Sequence, residues 1–375
     1  MVLTLAFRNL VHDRMRLALT LLGIGISIVL IGAQMGLMLG FSRMISGVLD
    51  HAKVDLWVVP AGTAAFDDPA LLDMSERYSA LAITGVESVT PMVVGFADWK
   101  MSNGGTATVI LLGSDFKAGT LAPWNISSGT AAQLRAPETV AIDQAYSQSL
   151  GVTNIGDVAR IEGKVARVAA ITTGIRSFTT SPYVFTGLDQ AQEYLSIPYG
   201  RTTYLAVKLA SGADIETVRK RMSARIKRSE VLTTQEFRDR NFDRWMFSTG
   251  AGAALLSGIL LGLCVGAFIV AQTLYASIND HLSEFATLRA MGSSKGFLRK
   301  VIFCQAGLSA VFASMVAAAG VASLVAFTAG SALPIAMTPV LGLLLLILSL
   351  LMSFAAAAMT VAKVTRIQPV TVFSR

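Results

Sequence analysis

Three histidines and two cysteines are the side chains of this chain best suited to hold a metal or attack a substrate. Their spacing supports neither. His12, His51 and His281 stand far apart with no metal-ligand spacing, and Cys264 and Cys304 both fall inside long apolar runs. No His-Glu-x-x-His, Gly-x-Ser-x-Gly or Cys-x-x-Cys occurs, so metal-assisted, acyl-transfer and dithiol chemistry have no basis in the sequence. No catalytic residue and no metal ligand is assigned. The Gly-x-x-x-x-Gly-Lys-Ser/Thr loop that cradles nucleotide phosphates is also missing, so ATP and its Mg2+ have no binding motif here.

Docking and packing are what the residue spacing offers instead. From Asn279 to Ser294 the chain reads as a short helix that Asn279 or Asp280 can cap, with acidic groups in its first turn, Arg289 near its last and Gly292 placed to end it. Ser293 or Ser294 can then cap the helix that follows. Leu288 and Met291 would project from this short helix with no core to enter, so it needs a partner. Gly32, Gly36 and Gly40 recur every four residues, and so do Gly258, Gly262 and Gly266. Small residues at that step form a groove in which a helix of the same chain or of a second copy can approach closely. Gln34 is a costly polar group in an apolar run and is expected against protein or substrate. With Met35, Met38 and Phe41 it marks a candidate substrate-lining face.

The elements that must position these residues follow from where charge is absent. No Asp, Glu, Lys or Arg lies between Arg16 and Arg43, between Arg244 and Asp280, or between Lys300 and Lys363. A helix needs roughly 20 apolar residues to cross a bilayer. The first two gaps each hold one span. The third is too long for one and is broken by Gly330, Pro334 and Pro339, so it holds two. The expected fold is an α-helical membrane protein with four transmembrane helices in one-plus-three order and an extracytoplasmic α+β domain between the first two. Its plan is an amphipathic helix at 1–16, spans at 17–42, 245–278, 301–328 and 340–362, the domain at 43–244, a cytoplasmic loop at 279–300, a short outer turn at 329–339 and a tail at 363–375. The opening run is read as an uncleaved anchor, since it is longer than a signal-peptide core and lacks an Ala-x-Ala site. Before it, Leu3, Ala6, Phe7, Leu10 and Val11 alternate helically with Thr4, Arg8, His12, Asp13 and Arg16. This is either a helix on the membrane surface or simply a basic start to the anchor.

Charge sets the orientation. Arg8, Arg14, Arg16, Arg289, Lys295, Arg299, Lys300, Lys363, Arg366 and Arg375 flank the spans against only Asp13, Asp280 and Glu284, which accounts for the whole net charge of +7. The long block between spans one and two is therefore neutral. Positive short loops stay in the cytoplasm, which puts both termini and the loop before span three inside and the block outside. A basic excess confined to juxtamembrane segments also argues against nucleic acid as a partner. Within the block, runs rich in β-branched and aromatic residues predict strands over 54–59, 88–96, 106–112, 139–142, 158–161, 165–171, 183–185 and 203–209. Helical patterns intervene at 143–150, 188–195 and 214–228. The last carries Arg219, Lys220, Arg221, Arg225, Lys227 and Arg228: a solvated face, or a contact with anionic lipid headgroups or an acidic partner.

Glu284 to Ser293 resembles the Glu-Ile-Gly-Leu-Leu-Arg-Ala-Ile-Gly-Ala signature before the third span of MacB/FtsX-type (type VII) ABC transporter permeases, with identity at Glu284, Leu288, Arg289, Ala290 and Gly292. Arg366 to Val370 resembles the closing Arg-Leu-Asp-Pro-Val, and Ile155 to Val158 with Val168 to Ile171 resembles a strand pair of the external domain. Phe7 to Leu10 and Asp55 to Pro60 look closest to the half-length DevC and HrtB permeases. His281 to Ser283, Thr287 and Gln368 depart from the pattern.

The resemblance implies that two copies of the chain pair with two cytoplasmic ABC ATPase subunits, which carry ATP and Mg2+, while this chain binds no cofactor. Glu284, Phe285, Leu288, Arg289, Met291, Gly292 and Ser293 would form the coupling helix. Closure of the ATPase would be relayed mechanically to the outer domain and expel an amphipathic or hydrophobic cargo such as a lipid, glycolipid, haem or drug. A periplasmic adaptor of HlyD type, an outer-membrane channel and an inner-membrane location complete that expectation. An FtsX-like relay to a periplasmic hydrolase and LolC/LolE-like lipoprotein release remain alternatives.

Overall fold

The computed structural model describes residues 2–12, 14–116, 119–179, 181–280, 295–331 and 333–364. In chain order the elements are α1 (Val2–His12), α2 (Arg14–His51), β1 (Leu56–Pro60), β2 (Leu72–Asp73), α3 (Glu76–Leu81), β3 (Val86–Lys100), β4 (Thr106–Ser114), β5 (Ile126–Ser128) and β6 (Thr139–Asp143). Then come α4 (Ser147–Leu150), β7 (Val158–Ile161), β8 (Lys164–Thr172), β9 (Tyr183–Gly187), α5 (Leu188–Tyr194), β10 (Arg201–Thr202), β11 (Tyr204–Leu209), α6 (Ile215–Arg225), β12 (Ser229–Thr233) and α7 (Thr234–Asp243). Three long helices close the described chain: α8 (Ala251–Asp280), α9 (Lys295–Thr328) and α10 (Pro339–Val364). The described residues form two compact units, one from 1–40, 252–329 and 334–375, the other from 41–251 and 330–333.

The first unit is helical. Among the described residues, four helices are long and apolar enough to cross a membrane, over Leu17–His51, Ala251–Thr273, Arg299–Thr328 and Pro339–Met359. Ile24, Ile28, Ile31, Val270, Ile302, Ala306, Ala313, Met352 and Ala356 make its core. Pro339 opens α10, where a missing N–H costs nothing, and the Ile335 amide donates to Thr328 Oγ1 at 3.2 Å to tie the preceding turn.

The second unit is built on a ten-stranded sheet of order β12-β1-β11-β3-β4-β9-β6-β8-β5, with β7 paired to β3 and β8. Its central strands are apolar on both faces. Val93, Val109, Leu111 and Val184 enter one core with Trp99 and α5, while their neighbours Val94, Ile110, Leu112 and Phe185 enter the other with Trp57 and Phe237. Strands covered on both sides lose the alternation of a half-solvated sheet and read as continuous apolar runs. All eight predicted strands have counterparts.

The boundaries differ from the expected plan in three places. Helix α2 does not stop at 42 but continues to His51, because Val48 and Leu49 enter the sheet core and Met44 and Ile45 pack with Phe178. The charge-free run from Trp245 does not begin as a span. Arg244–Ser248 form a π-helical turn, Gly250 takes a left-handed φ of 80°, and α8 starts at Ala251. Helix α8 also runs through Asp280, so neither Asn279 nor Asp280 is the non-helical cap expected there. The strands β2, β5, β10 and β12 and the helices α3 and α7 were not anticipated; all are short, and α7 (Thr234–Asp243) is almost wholly polar.

Candidate functional site

In the helical unit, α2 and α8 meet antiparallel along four positions of each. A Cβ on Gly262 would lie 2.7 Å from Ile31 Cγ1, one on Gly258 2.7 Å from Gln34 Cδ, and one on Gly266 2.9 Å from Ser27 Cβ. One turn further along, a Cβ on Gly23 would lie 2.6 Å from Ile269 Cγ2. The glycines of α8 thus let the backbone approach Ser27, Ile31 and Gln34, and Gln34 lies against protein. The glycines of α2 look elsewhere. A Cβ on Gly32 would lie 3.1 Å from both Leu345 and Val321, one on Gly36 2.5 Å from Ile335 Cγ2, and one on Gly40 would strike the carbonyl oxygen of Pro334. The Gly36 carbonyl accepts from the Ala336 amide at 3.1 Å. The two triplets therefore do not face each other. Ile31 and Gly32 are adjacent, and one residue is about 100° of helix rotation, enough to aim them at different neighbours. All six notches are filled from within this chain. Gly23 was missed because it stands outside the four-residue step.

Of the remaining lining candidates, Met35 packs at the edge of the helical core and Met38 is half-buried. A cleft of about 690 Å3 does open in this unit, but its walls are Ile28, Val311, Met315, Val321, Met337 and Leu345 with other apolar residues of α9 and α10. None of Gln34, Met35, Met38 and Phe41 lines it. Gln305 Oε1, Ser349 Oγ and Ser353 Oγ are buried in the same bundle with no hydrogen-bond partner among the described residues.

In the second unit, the last turns of α2 run beside α7. Arg238 pairs with Asp50 at 3.2 Å, and the buried Asn241 donates to the Ile45 carbonyl at 2.9 Å while its Oδ1 accepts from the Phe66 amide at 3.0 Å. One turn further, Phe178 lies edge-on between Phe41 at 5.4 Å and Trp245 at 4.3 Å. Phe41 thus belongs to this joint.

Asp67 is buried in the same region. Burial pushes its carboxyl up to about 6; its own backbone amide and the nearby Trp245 indole pull the other way, and Asp68 adds to the rise. Yet neither Asp67 Oδ2 nor Trp245 Nε1 completes a hydrogen bond of acceptable geometry. The Tyr204 hydroxyl, also close, donates to the Phe66 carbonyl at 2.9 Å. A carboxyl raised from 3.8 to about 6 holds its proton longer in the folded state. Its contribution is therefore complete below the unfolded value and is lost as pH rises through the folded one. The loss is on the order of 3 kcal/mol between about pH 4 and pH 6 and above. Asp67→Asn should flatten that part of the melting-temperature profile and raise Tm at neutral pH; an unchanged slope would refute the burial argument.

The coupling residues Glu284, Phe285, Leu288, Arg289, Met291, Gly292 and Ser293 lie outside the described residues. Among the described residues no cluster of three His, Cys, Asp or Glu could hold a metal ion. The candidate positions among the described residues form helix contacts within the first unit and a buried cluster within the second. Comparison with protein families gives two matches: the MacB-like periplasmic core domain matches residues 17–225 and the FtsX-like permease C-terminal domain matches residues 256–369. The chain belongs to the MacB/FtsX family of ABC transporter permeases.

Membership makes it a multi-pass membrane protein of a family that normally works with a cytoplasmic ABC ATPase. The periplasmic region of MacB from Actinobacillus actinomycetemcomitans is similar at 11% identity, over 52% of this chain and 96% of that one, with a TM-score of 0.40. The extracellular domain of the noncanonic ABC-type transporter YknZ from Gram-positive bacteria is similar at 11% identity, over 48% and 98%, with a TM-score of 0.36. A domain of a permease protein from Porphyromonas gingivalis is similar at 15% identity, over 49% and 90%, with a TM-score of 0.34. At these scores the assignment to the MacB/FtsX family rests on the two matched domains alone. No curated protein matches the chain significantly.

Proposed function

We propose that this chain is the permease subunit of an ATP-driven exporter that moves an amphipathic or hydrophobic substrate by mechanical transmission. The supporting observation is α2: one unbroken helix, Arg14–His51, contributes residues to the helical unit and to the core of the sheet unit. An α-helix transmits displacement along its axis, so force applied to the spans reaches the domain without passing through a loop. The charge distribution supports cytoplasmic termini, a cytoplasmic segment at 279–300 and an outer domain, and the family resemblance supports a bacterial inner membrane. Two copies of the chain act with two ATPase subunits, which bind ATP and Mg2+. The uncharged walls of the 690 Å3 cleft suit a lipid, glycolipid, haem or apolar drug, and the cleft is of ligand-pocket size. An adaptor of HlyD type and an outer-membrane channel would complete the export route in a DevC-like system. Purification from native membranes tests this. A separate ATPase and a bound apolar compound should accompany the chain, and recovery with a cell-wall hydrolase or a lipoprotein instead would overturn the export reading.

A further inference from the structure

Arg219 of α6 is paired with carboxylates, whereas the cations that follow it gather without one. Lys164 meets Glu193, Lys208 meets Glu87, Arg219 meets Glu216 and Glu236, and Arg240 meets Glu230. Lys220, Arg221, Arg225, Lys227 and Arg228 are exposed, and among the described residues none of them forms an ion pair with a carboxylate. Arg221 and Arg225 stand four apart on one helix face, where like charges repel. Asp73 lies within electrostatic reach of Arg228 at the far end of the cluster. Hydrogen bonds from Ser75 chiefly hold its carboxyl below the usual range, with Arg201 and Arg228 adding to the effect.

The register of the sheet says which end of the unit this is. Ser229 pairs with Pro60, Glu230 reaches Arg240 at 2.7 Å, and the next residue, Asn241, holds the Ile45 carbonyl at 2.9 Å. Phe41 and Trp245 lie one turn beyond Ile45 and Asn241. The C-terminal end of α6 therefore sits toward the edge of this unit at which the chain enters and leaves it, at Phe41 and Ala251. The N-terminal end sits at the other, where the Leu209 amide donates to Asp55 at 2.8 Å. Exposed aromatics share the cationic edge. Tyr199, 99% exposed, adjoins Gly200, whose carbonyl accepts from the Met74 amide at 2.9 Å, and Tyr78, 72% exposed, follows on α3. Tyrosine with lysine and arginine is the residue set of a membrane–water interface.

We propose that this edge, made by Arg221, Arg225, Lys227 and Arg228 with Tyr199 and Tyr78, rests on anionic phospholipid headgroups. The contact opposes lifting of the domain from the bilayer, and it holds whether or not the chain exports anything. The test uses the full chain with Cys264 and Cys304 replaced by serine, labelled with bimane at Ala224→Cys among the cations, or at Ser211→Cys at the opposite end of α6. Each is placed in nanodiscs of phosphatidylcholine alone or with about 30% phosphatidylglycerol. With a headgroup-attached quencher, quenching at position 224 should rise roughly twofold in the anionic discs. It should fall at high salt and be lost in Arg221→Glu/Arg225→Glu/Lys227→Glu, while position 211 stays unchanged. Equal quenching in both discs, an equal response at 211, or a response insensitive to the charge reversal would overturn the proposal. So would a response at 224 only when a synthetic polyglutamate peptide is added, which would assign the edge to an acidic protein.

Discussion

Alanine at Gly40 should destabilise the folded chain by about 1–3 kcal/mol, and leucine there should prevent the native helix packing altogether. The new methyl would meet the Pro334 carbonyl oxygen, a backbone atom that cannot rotate aside. Gly262→Ala should cost less but still register, because the obstacle, Ile31, is a side chain only 2% exposed and so has little room to yield. At Gly258 the obstacle is the end of the Gln34 side chain, which can swing away, so alanine there should be nearly neutral. Gly342, in α10, has nothing within 4 Å of its missing Cβ, and alanine should be neutral or stabilising through helix propensity. Melting temperatures of the four variants in one detergent give the order directly. A Gly342 variant as unstable as the Gly40 variant would show that the notches play no part.

The second large effect belongs to the segment before α9. Leu288→Asp with Met291→Asp should abolish stimulation of the partner ATPase by the permease, while leaving expression, membrane insertion and Tm intact. Two carboxylates cannot be desolvated in an apolar groove without a partner, and each unpaired buried charge costs several kcal/mol, more than a modest docking interface can spare. ATPase activity measured with wild-type and variant permease in the same nanodiscs decides it. Full stimulation by the variant would remove these residues from the coupling surface.

Much of this was legible in the sequence, for physical reasons that vary by element. The four spans follow from where Asp, Glu, Lys and Arg are absent, since no helix hides an unpaired charge in hydrocarbon. The central strands show as apolar runs because both sheet faces are covered. Helix α7 does not show, because Phe237 and Asn241 are its buried residues in a run of charged neighbours. The glycine steps reveal that close contacts exist but not with which helix, since a shift of one residue redirects the whole row. Asp67 reads as an ordinary loop acid between Phe66 and Asp68; only the folded chain shows it buried beside Trp245. The six cations around α6 are plain in the sequence, yet which of them find carboxylates, and at which edge they gather, is set by the pairing of β12 with β1.

The central claim is that ATP turnover on a separate subunit moves the sheet domain of this chain. Spin labels at Ser211→Cys on both copies of a Cys264→Ser/Cys304→Ser permease, assembled with its ATPase, report that movement as an inter-label distance. The account predicts different distance distributions in the nucleotide-free and vanadate-trapped complexes, and loss of the difference in the Leu288→Asp/Met291→Asp variant. Identical distributions in a complex whose ATPase is fully stimulated would contradict it.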